Sequence, residues 1–310
     1  MSFNKKNILS IDIGGSKLLA GIIDDDGNIL SKKKLLLENP ITEDYLSTSI
    51  ENLIEDLLND SNENIECVGV TVPGLADKEK GILVYAPYSG IRNFEIGNIL
   101  RKKLRIPVFI ENDANACAYA EMMYGACKEV DNFIWVTVSN GVGGALVING
   151  EIYEGVSGGA GEIGHINVVK NGYMCGCGNK GCLEAHAAGP AIVRKYKQET
   201  RDDLLGITAE IIAESARKGD KVARDIYRKT GYYLGKAISY AVNLFNPAKV
   251  ILGGGISMST DLFLPELERV VCKMVLKDSV ENLIIEKTGL SYEAALMGAA
   301  TIAKLRSGGN

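Results

Sequence analysis

The sequence is poor in the features that mark several large classes of protein. Its 310 residues include 2 histidines, 1 tryptophan and 7 prolines, and the net charge is only -5. The longest basic block is Lys32-Lys33-Lys34, so nothing favours binding to nucleic acid or to an anionic membrane surface. No stretch approaches the roughly 20 apolar residues of a membrane span. With 46% hydrophobic residues, the composition indicates a folded globular protein.

The N-terminus and the cysteines indicate a reducing compartment. The first seven residues contain no apolar segment, and the apolar run that follows is interrupted by Asp12 and two glycines, so we expect a cytoplasmic protein without a signal segment. Four of the seven cysteines lie apart among apolar neighbours, and we interpret them as small core residues. They are Cys67, Cys117, Cys127 and Cys272.

A repeated strand pattern predicts two related lobes. Residues 8–13 and 18–23 are strand-like around a glycine turn, and residues 133–138 and 145–148 repeat this pattern about 125 positions later. We expect a small α/β lobe of residues 1–115 with a C-terminal helix at about 297–310, and a large α/β lobe of residues 116–296 with a cleft between them. Further strands are predicted at 28–37, 67–72, 108–111, 151–153 and 250–252, and helices at 50–58, 114–123, 221–245 and 293–306.

The first glycine turn has the chemistry of a phosphate site. In Asp12-Ile13-Gly14-Gly15-Ser16-Lys17 the glycines let the backbone approach a phosphate, and Ser16 and Lys17 can donate to its oxygens. A strand follows, so this is not a P-loop, and a plain hairpin turn is the alternative. Because a buried carboxylate is costly unless it holds a cation, Asp12 favours a phosphate site with magnesium.

Two later glycine segments complete a possible nucleotide site. The second hairpin offers the hydroxyl of Thr137 together with Asn140 and Gly141, and a polyphosphate held between the two hairpins would be gripped from both sides. Gly253-Gly254-Gly255 follows a predicted strand and would admit an adenine or ribose face where side chains would clash. Strand-to-helix turns often carry glycine, so the triple glycine by itself is weak evidence for a nucleotide site.

A cluster of three cysteines predicts a metal site. Cys175, Cys177 and Cys182, together with His165, supply the three thiolates and one imidazole of a tetrahedral zinc site. All four ligands come from the protein, so we expect a structural zinc. It would fix Glu162 and Glu184, which flank the cluster. The alternative is three unligated cysteines in a glycine-rich loop.

The candidate catalytic group is a carboxylate where a predicted strand meets a predicted helix. Phosphoryl transfer to a hydroxyl needs positioning, charge neutralisation and a base, and Asp113 can be that base, with Asn112 holding a hydroxyl of the acceptor. Asp113 as an N-cap of the following helix is the alternative, and the two roles are compatible. Glu162, His165 and Glu184 offer polar atoms to a sugar. His186 is interpreted as a surface residue at a helix start.

Taken together, these motifs resemble the ROK family of repressors, open reading frames and kinases. The resemblance runs through Asp12-Ile-Gly-Gly-Ser-Lys17, Pro73-Gly74, Glu111-Asn-Asp-Ala-Asn115, Gly158-Gly-Ala-Gly-Glu162-Ile-Gly-His165 and the cysteine cluster with Glu184. It implies an actin-like ATPase fold, related to ribonuclease H, and an ATP-dependent sugar kinase that forms a homodimer.

The same resemblance implies a role for each matching residue. Asp113 would be the catalytic base, and the sugar would be bound by Gly74, Asn112, Glu162, His165 and Glu184. Mg-ATP would be bound by Asp12, Gly14, Gly15, Ser16, Lys17, Thr137, Asn140, Gly141, Gly254 and Gly255. A structural zinc would be bound by His165, Cys175, Cys177 and Cys182.

Two departures from the family pattern bear on specificity. Family glucokinases usually carry Gly-Thr-Gly at the second phosphate loop, where this chain has Ser139-Asn140-Gly141. They also tend to have Asn-Leu-Gly-Trp in place of Tyr88-Ser89-Gly90-Ile91, so glucose, mannose, allose, an N-acetylhexosamine or a glucoside are all open as substrates, as is polyphosphate as donor.

Two rival functions come from other classes. A sugar-responsive repressor would need a DNA-binding segment, and Asp12 arrives after only eleven residues, which disfavours it. A non-catalytic sugar-binding protein is the other alternative, and nucleotide binding would distinguish it from a kinase.

Overall fold

The computed structural model describes residues 7–61, 63–201 and 205–308. The chain folds into two compact units: unit 1 comprises Met1–Lys128, Gly155–Gly159 and Glu293–Asn310, and unit 2 comprises Glu129–Glu154 and Ala160–Tyr292. The first unit therefore extends beyond the expected boundary near residue 115. Residues 1–6, on which most of the signal-segment argument rests, lie outside the described residues.

In the part of the chain that the structure describes, unit 1 contains eight strands. They are β1 (Asn7–Ile13), β2 (Lys17–Ile23), β3 (Ile29–Leu36), β4 (Ile65–Val72), β5 (Leu75–Asp77), β6 (Ile82–Tyr85), β7 (Arg92–Phe94) and β8 (Val108–Asn112). Those of unit 2 are β9 (Phe133–Val138), β10 (Val142–Ile148), β11 (Glu151–Ile152), β12 (Lys249–Gly253) and β13 (Ile284–Lys287).

The α-helices of the described residues are divided between the two units. Unit 1 contains α1 (Glu43–Asn59), α2 (Ile96–Leu104), α3 (Asp113–Met123) and the C-terminal α10 (Ala294–Ser307). Unit 2 contains α4 (Glu184–Ala187), α5 (Gly189–Thr200), α6 (Ala209–Arg217), α7 (Lys221–Phe245), α8 (Thr260–Met274) and α9 (Lys277–Val280). No helix among the described residues has the length and apolar character needed to cross a membrane.

Each unit is built on a five-stranded sheet, and the two sheets have the same topology. The order in unit 1 is β3-β2-β1-β4-β8, and the order in unit 2 is β11-β10-β9-β12-β13. In both, an antiparallel meander of three strands is followed by two parallel strands. The duplication predicted from the two glycine hairpins is thus confirmed by strand order.

The burial of the first three strands explains their composition. β1 and β2 are buried almost throughout, as their continuous apolar runs require of strands covered on both faces. β3 lies at the sheet edge and alternates between half-buried and exposed positions, and it carries the only block of three lysines. Lysines on an edge strand discourage pairing with another chain, so the basic block has a structural explanation.

Helix α10 packs on unit 1 through positions without side chains. A Cβ on Gly69 of β4 would lie 1.8 Å from the carbonyl oxygen of Ala299, and one on Gly298 would lie 2.2 Å from that of Ala116 in α3. The backbone of α10 therefore packs directly against the backbones of β4 and α3, with no side chain between them. Residues 116–128 belong to unit 1 because α3 is held against α10 in this way.

Substituting Gly69 with alanine is expected to destabilise the fold. Replacing glycine by alanine restricts the unfolded chain, which alone would stabilise the protein by about 0.4–1 kcal/mol. The new methyl group would force α10 away from β4 at a larger cost, so we expect the free energy of unfolding to fall by about 2 kcal/mol. Denaturant unfolding measures it. Gly289→Ala is the control, since a Cβ there has no neighbour within 4 Å. Equal stability of the two variants would contradict this packing.

The scattered cysteines are mostly as expected. Cys67, Cys117 and Cys127 are buried, in agreement with a core role. The prediction is wrong for Cys272, which is exposed on α8. Its apolar sequence neighbours Val270 and Val271 are buried on the other face of the helix, so neighbours in sequence misled the prediction.

Candidate active site

Three parallel strands end at one edge of the unit 1 sheet. β4 pairs in parallel with β1 and with β8, and the register aligns Asp12 with Thr71 and Thr71 with Glu111. Asp12 and the Asn112-Asp113 pair, predicted separately from the sequence, therefore lie at the same edge. The hydroxyl of Thr71 donates to Oδ1 of Asp12 over 2.8 Å.

The environment of Asp12 suits a cation-binding carboxylate. The residue is only 7% exposed. Burial raises the pKa of Asp12, while the Thr71 hydrogen bond and the positive charge of Lys17 act in the opposite direction. The burial predicted from its place at the end of an apolar strand is thus observed, while cation binding by Asp12 stays a prediction.

The first glycine turn is a tight hairpin covered by an aromatic ring. The amide of Gly14 donates to the carbonyl of Lys17 over 2.9 Å, which closes the turn. A Cβ on Gly15 would lie 3.1 Å from Cγ of Tyr88, so the ring packs directly on the backbone. Burial, together with the negative charges of Asp113 and Asp12, raises the pKa of Tyr88 to about 12. Tyr88 thus lies near both carboxylates and stays neutral.

Asn112, and not Asp113, is the N-cap of α3. Its Oδ1 accepts from the amides of Ala114 and Asn115 over 2.9 and 3.1 Å, and its Nδ2 donates to the Gly74 carbonyl and to Oδ1 of Asp113 over 3.0 and 3.1 Å. The cap fixes the start of the helix and with it Asp113, which occupies the first helical position. Asn112 must exchange one of these bonds to bind a sugar hydroxyl.

Gly74 is required by its backbone conformation. Its φ is +92°, and a Cβ would lie 2.4 Å from the carbonyl oxygen of Tyr85. The carbonyl it offers to Asn112 places the chain after β4 beside the candidate base. Gly74, Asn112, Asp113, Asp12 and the hairpin of residues 14–17 are therefore all part of one unit.

The predicted nucleotide residues of unit 2 also converge. β9 and β12 are parallel, and Thr137 is paired with Gly253. A Cβ on Gly254, whose φ is +81°, would lie 2.8 Å from Oγ1 of Thr137 and 2.4 Å from the carbonyl oxygen of Val138. Gly255 follows, and its Cβ position is 3.8 Å from Oγ of Ser139. The second hairpin and the triple glycine therefore form a single surface.

The cysteine cluster has the dimensions of a zinc site. Sγ of Cys175 lies 3.7 Å from Nδ1 of His165, and Sγ of Cys177 lies 3.6 Å from Sγ of Cys182. All four ligand atoms lie within 4.8 Å of one another. Bond lengths of about 2.0–2.3 Å to a tetrahedral zinc require ligand atoms about 3.3–3.8 Å apart. The His165–Cys175 and Cys177–Cys182 separations lie in this range, and the 4.8 Å limit on the other pairs makes the cluster compatible with zinc after a small contraction.

The two candidate sugar-binding carboxylates adjoin the cluster. Oε2 of Glu162 is 3.8 Å from Nε2 of His165, and Oε1 of Glu184 is 3.6 Å from Sγ of Cys175. Oε2 of Glu184 also accepts from the amide of Val142 over 3.1 Å, and the residue lies against Gly141. Glu184 therefore links the cysteine cluster to the second hairpin, near Asn140.

The interpretation of His186 as a surface residue is wrong. The residue is 3% exposed, its ring lies between those of Tyr173 and Tyr233, and Nε2 accepts from the amide of Tyr173 over 3.2 Å. Burial, with the positive charges of Lys195 and Arg194 nearby, lowers the pKa of His186 to about 4. His186 is thus a neutral core residue beneath the cysteine loop.

His186 should make the stability of the protein depend on pH. The folded-state pKa of His186, about 4, lies below the unfolded value of 6.5. Its contribution to the free energy of unfolding is therefore complete above pH 6.5 and is lost as the pH falls toward 4. The full effect is about 3 kcal/mol. We expect the free energy of unfolding, measured by denaturant between pH 7 and 4.5, to fall less steeply for His186→Asn. Parallel curves for the two proteins would contradict this.

The chain is similar to known proteins over almost its whole length. The ROK family model matches residues 8–306. The chain belongs to the ROK family. It is 33% identical to the glucokinase of Streptomyces coelicolor, over 96% of this chain and 97% of that protein. It is also 34% identical to the xylose repressor of Bacillus subtilis, over 97% of this chain and 78% of the repressor.

A solved ROK structure confirms the fold. The crystal structure of a ROK family glucokinase from Streptomyces griseus in complex with glucose and AMPPNP superposes with a TM-score of 0.87 at 31% identity, covering 96% of this chain and 99% of that one. This chain has the actin-like ATPase fold of the ROK family. The ROK relatives include both sugar kinases and repressors.

Three residues near the predicted site were given no role of their own from the sequence, although Tyr88 and Glu111 lie in segments that were discussed. Thr71 bonds to Asp12, Tyr88 covers Gly15, and Glu111 is the buried neighbour of Asn112. Thr71 could have been found, because it ends a predicted strand parallel to the one that carries Asp12. The position of Tyr88 depends on a loop whose path no local pattern predicts.

Proposed function

We propose that this ROK protein transfers the γ-phosphoryl group of ATP to a hydroxyl of a hexose or hexose derivative. The resemblance to ROK kinases favours the 6-hydroxyl as the acceptor. The observation that carries the proposal is the shared sheet edge of unit 1, where a buried carboxylate, a glycine hairpin and Asp113 lie together. Full-length similarity to glucokinases supports the same assignment.

Asp113 is the proposed general base. Its carboxylate accepts the proton of the sugar hydroxyl as that oxygen bonds to the γ-phosphorus and the bond from phosphorus to the departing ADP oxygen breaks. The cap of α3 holds Oδ1 of Asp113 between Nδ2 of Asn112 and the amide of Ala114. Positioning of this kind is the main contribution a protein makes to phosphoryl transfer.

The remaining predicted residues have proposed roles in binding. The two glycine hairpins bind the phosphates, and Gly254 and Gly255 lie against the adenosine. The Mg²⁺ ion that accompanies ATP neutralises phosphate charge when bound, and Asp12 is the residue that would hold it. We propose a structural zinc in the cysteine cluster, which would orient Glu162, His165 and Glu184 toward the sugar. The cytoplasmic location and the homodimer remain predictions.

The test is ADP release from Mg-ATP in the presence of glucose, mannose, allose, N-acetylglucosamine, N-acetylmannosamine and a β-glucoside, with a sugar-free control. Sugar-dependent release with one of them supports the kinase and identifies the acceptor. No release with any sugar, although ATP binds, would contradict the proposed acceptor class.

The second candidate is a non-catalytic sugar-binding protein. The observation that favours it is the 34% identity to the xylose repressor. Calorimetric titration with ATP distinguishes the two, because a kinase must bind the nucleotide, whereas this candidate requires sugar binding without ATP binding or ADP release.

A further inference from the structure

Glu111 is a fully buried carboxylate directly before the candidate catalytic pair. Its side chain is 0% exposed, and two cations contact Oε2: Nζ of Lys78 at 2.5 Å and Nη2 of Arg306 at 2.8 Å. Oε1 accepts from the backbone amide of Asn112 over 2.9 Å and from Nδ2 of Asn115 over 3.2 Å. Four donors therefore compensate the cost of burying this charge.

The two cations connect Glu111 to distant parts of unit 1. Lys78 follows β5, and Arg306 lies in the last turn of α10. Arg306 also donates through Nη1 to the carbonyl of Ile110 over 3.0 Å, so its guanidinium spans the end of β8. A planar group that makes two such bonds has little freedom to move, and Oε2 of Glu111 is fixed with it.

The other oxygen of Glu111 acts on the segment that carries the base. Oε1 holds the amide of Asn112 and the side chain of Asn115, which are the N-cap and the third residue of α3. Asp113 lies between them. An error of about 1 Å in the position of a reacting group can cost about 100-fold in rate, so rigidity here matters for catalysis.

We infer that Glu111 is a positioning residue for phosphoryl transfer, which fixes Asp113 through the start of α3 and is itself fixed by Lys78 and Arg306. The inference rests on the proposed role of Asp113 as base. The residues proposed to support catalysis then include Arg306 in the C-terminal helix α10 as well as those at the sheet edge.

Kinetics of Glu111→Gln and Arg306→Gln test the inference. The amide of glutamine keeps one acceptor for Asn112 but loses the charge that binds both cations, so we expect kcat to fall about tenfold or more in Glu111→Gln and several-fold in Arg306→Gln. The KM for ATP should stay within about twofold, because neither residue is proposed to contact nucleotide. Arg306→Lys keeps the charge and should restore part of kcat.

Combination with Asp113→Asn separates positioning from stability. If Glu111 acts through Asp113, then Glu111→Gln should lower kcat no further in an Asp113→Asn background, within about twofold. A purely structural role would lower the thermal midpoint and leave kcat per folded molecule unchanged in the single variant. That result would overturn the inference.

Lys103→Gln is the matched control. It also removes one cation and its ion pairs from unit 1, with Glu51 and Glu55 at 2.9 and 2.5 Å, and both of these partners lie in α1 and not in β8 or α3. Its kcat should equal that of the wild type. If Glu111→Gln does not fold, Arg306→Gln carries the test, because Arg306 is 31% exposed. An inactive wild type would refute the proposed function, whereas an active wild type with unaffected variants would refute only this inference.

Discussion

Replacing Asp113 with asparagine is expected to lower kcat by about two orders of magnitude or more, with the KM for the sugar within a few-fold of wild type. Asparagine retains the oxygen that accepts from the amide of Ala114 and from Nδ2 of Asn112, so the start of α3 is preserved. It cannot accept the proton of the sugar hydroxyl. The predicted loss is about 3 kcal/mol of transition-state stabilisation.

The control for this substitution is Asp44→Asn. Asp44 lies in the first turn of α1, as Asp113 lies in the first turn of α3, so both variants lose the same interaction with a helix N-terminus. Only Asp113→Asn should affect kcat. Unchanged turnover in Asp113→Asn would remove this carboxylate from the mechanism.

The second large effect concerns the cysteine cluster. We expect about one zinc per chain by elemental analysis, and Cys177→Ser should lower both the zinc content and the Tm, the latter by about 5–10 °C. Zinc would add four bonds from the protein to a loop that is otherwise closed by backbone hydrogen bonds, such as the one from the amide of Cys175 to the carbonyl of Asn179 over 2.8 Å. Glu162 and Glu184 adjoin this loop, so the KM for the sugar should rise as well.

Cys272→Ser is the matched control for the zinc prediction. Both cysteines are exposed, but Cys272 lies on α8 outside the cluster. Its substitution should leave zinc content, Tm and activity unchanged. A metal-free wild-type protein with full activity and an unaltered Tm in Cys177→Ser would contradict the zinc assignment.

The sequence predicted those parts of the structure that repeat or alternate locally. The two strand-turn-strand patterns predicted the meanders that begin both sheets, and the alanine-rich run after Asp113 predicted α3. The spacing of His165 and the three cysteines predicted a cluster that the structure brings together. Each signal is contained within a short segment, where side-chain chemistry and spacing suffice.

Long-range packing explains what the sequence did not reveal. His186 is buried because Tyr173 and Tyr233 enclose its ring, and nothing in its own neighbourhood indicates those partners. Residues 116–128 belong to unit 1, where α3 packs closely on α10, the last helix of the described residues. The buried charge of Glu111 likewise has a partner in Arg306, which lies nearly two hundred residues away in the sequence. The catalytic role of Asp113 remains a proposal.

The most direct test of the central claim is a ³¹P NMR spectrum of the wild-type protein incubated with Mg-ATP and the acceptor sugar. If Asp113 is the base, the γ-phosphate signal should be lost and a phosphomonoester signal coupled to the C6 protons of the hexose should grow, and both changes should be about 100-fold slower or more with Asp113→Asn. ADP and inorganic phosphate without a sugar phosphate, or an unchanged ATP spectrum with every sugar of the panel, would contradict transfer to the sugar.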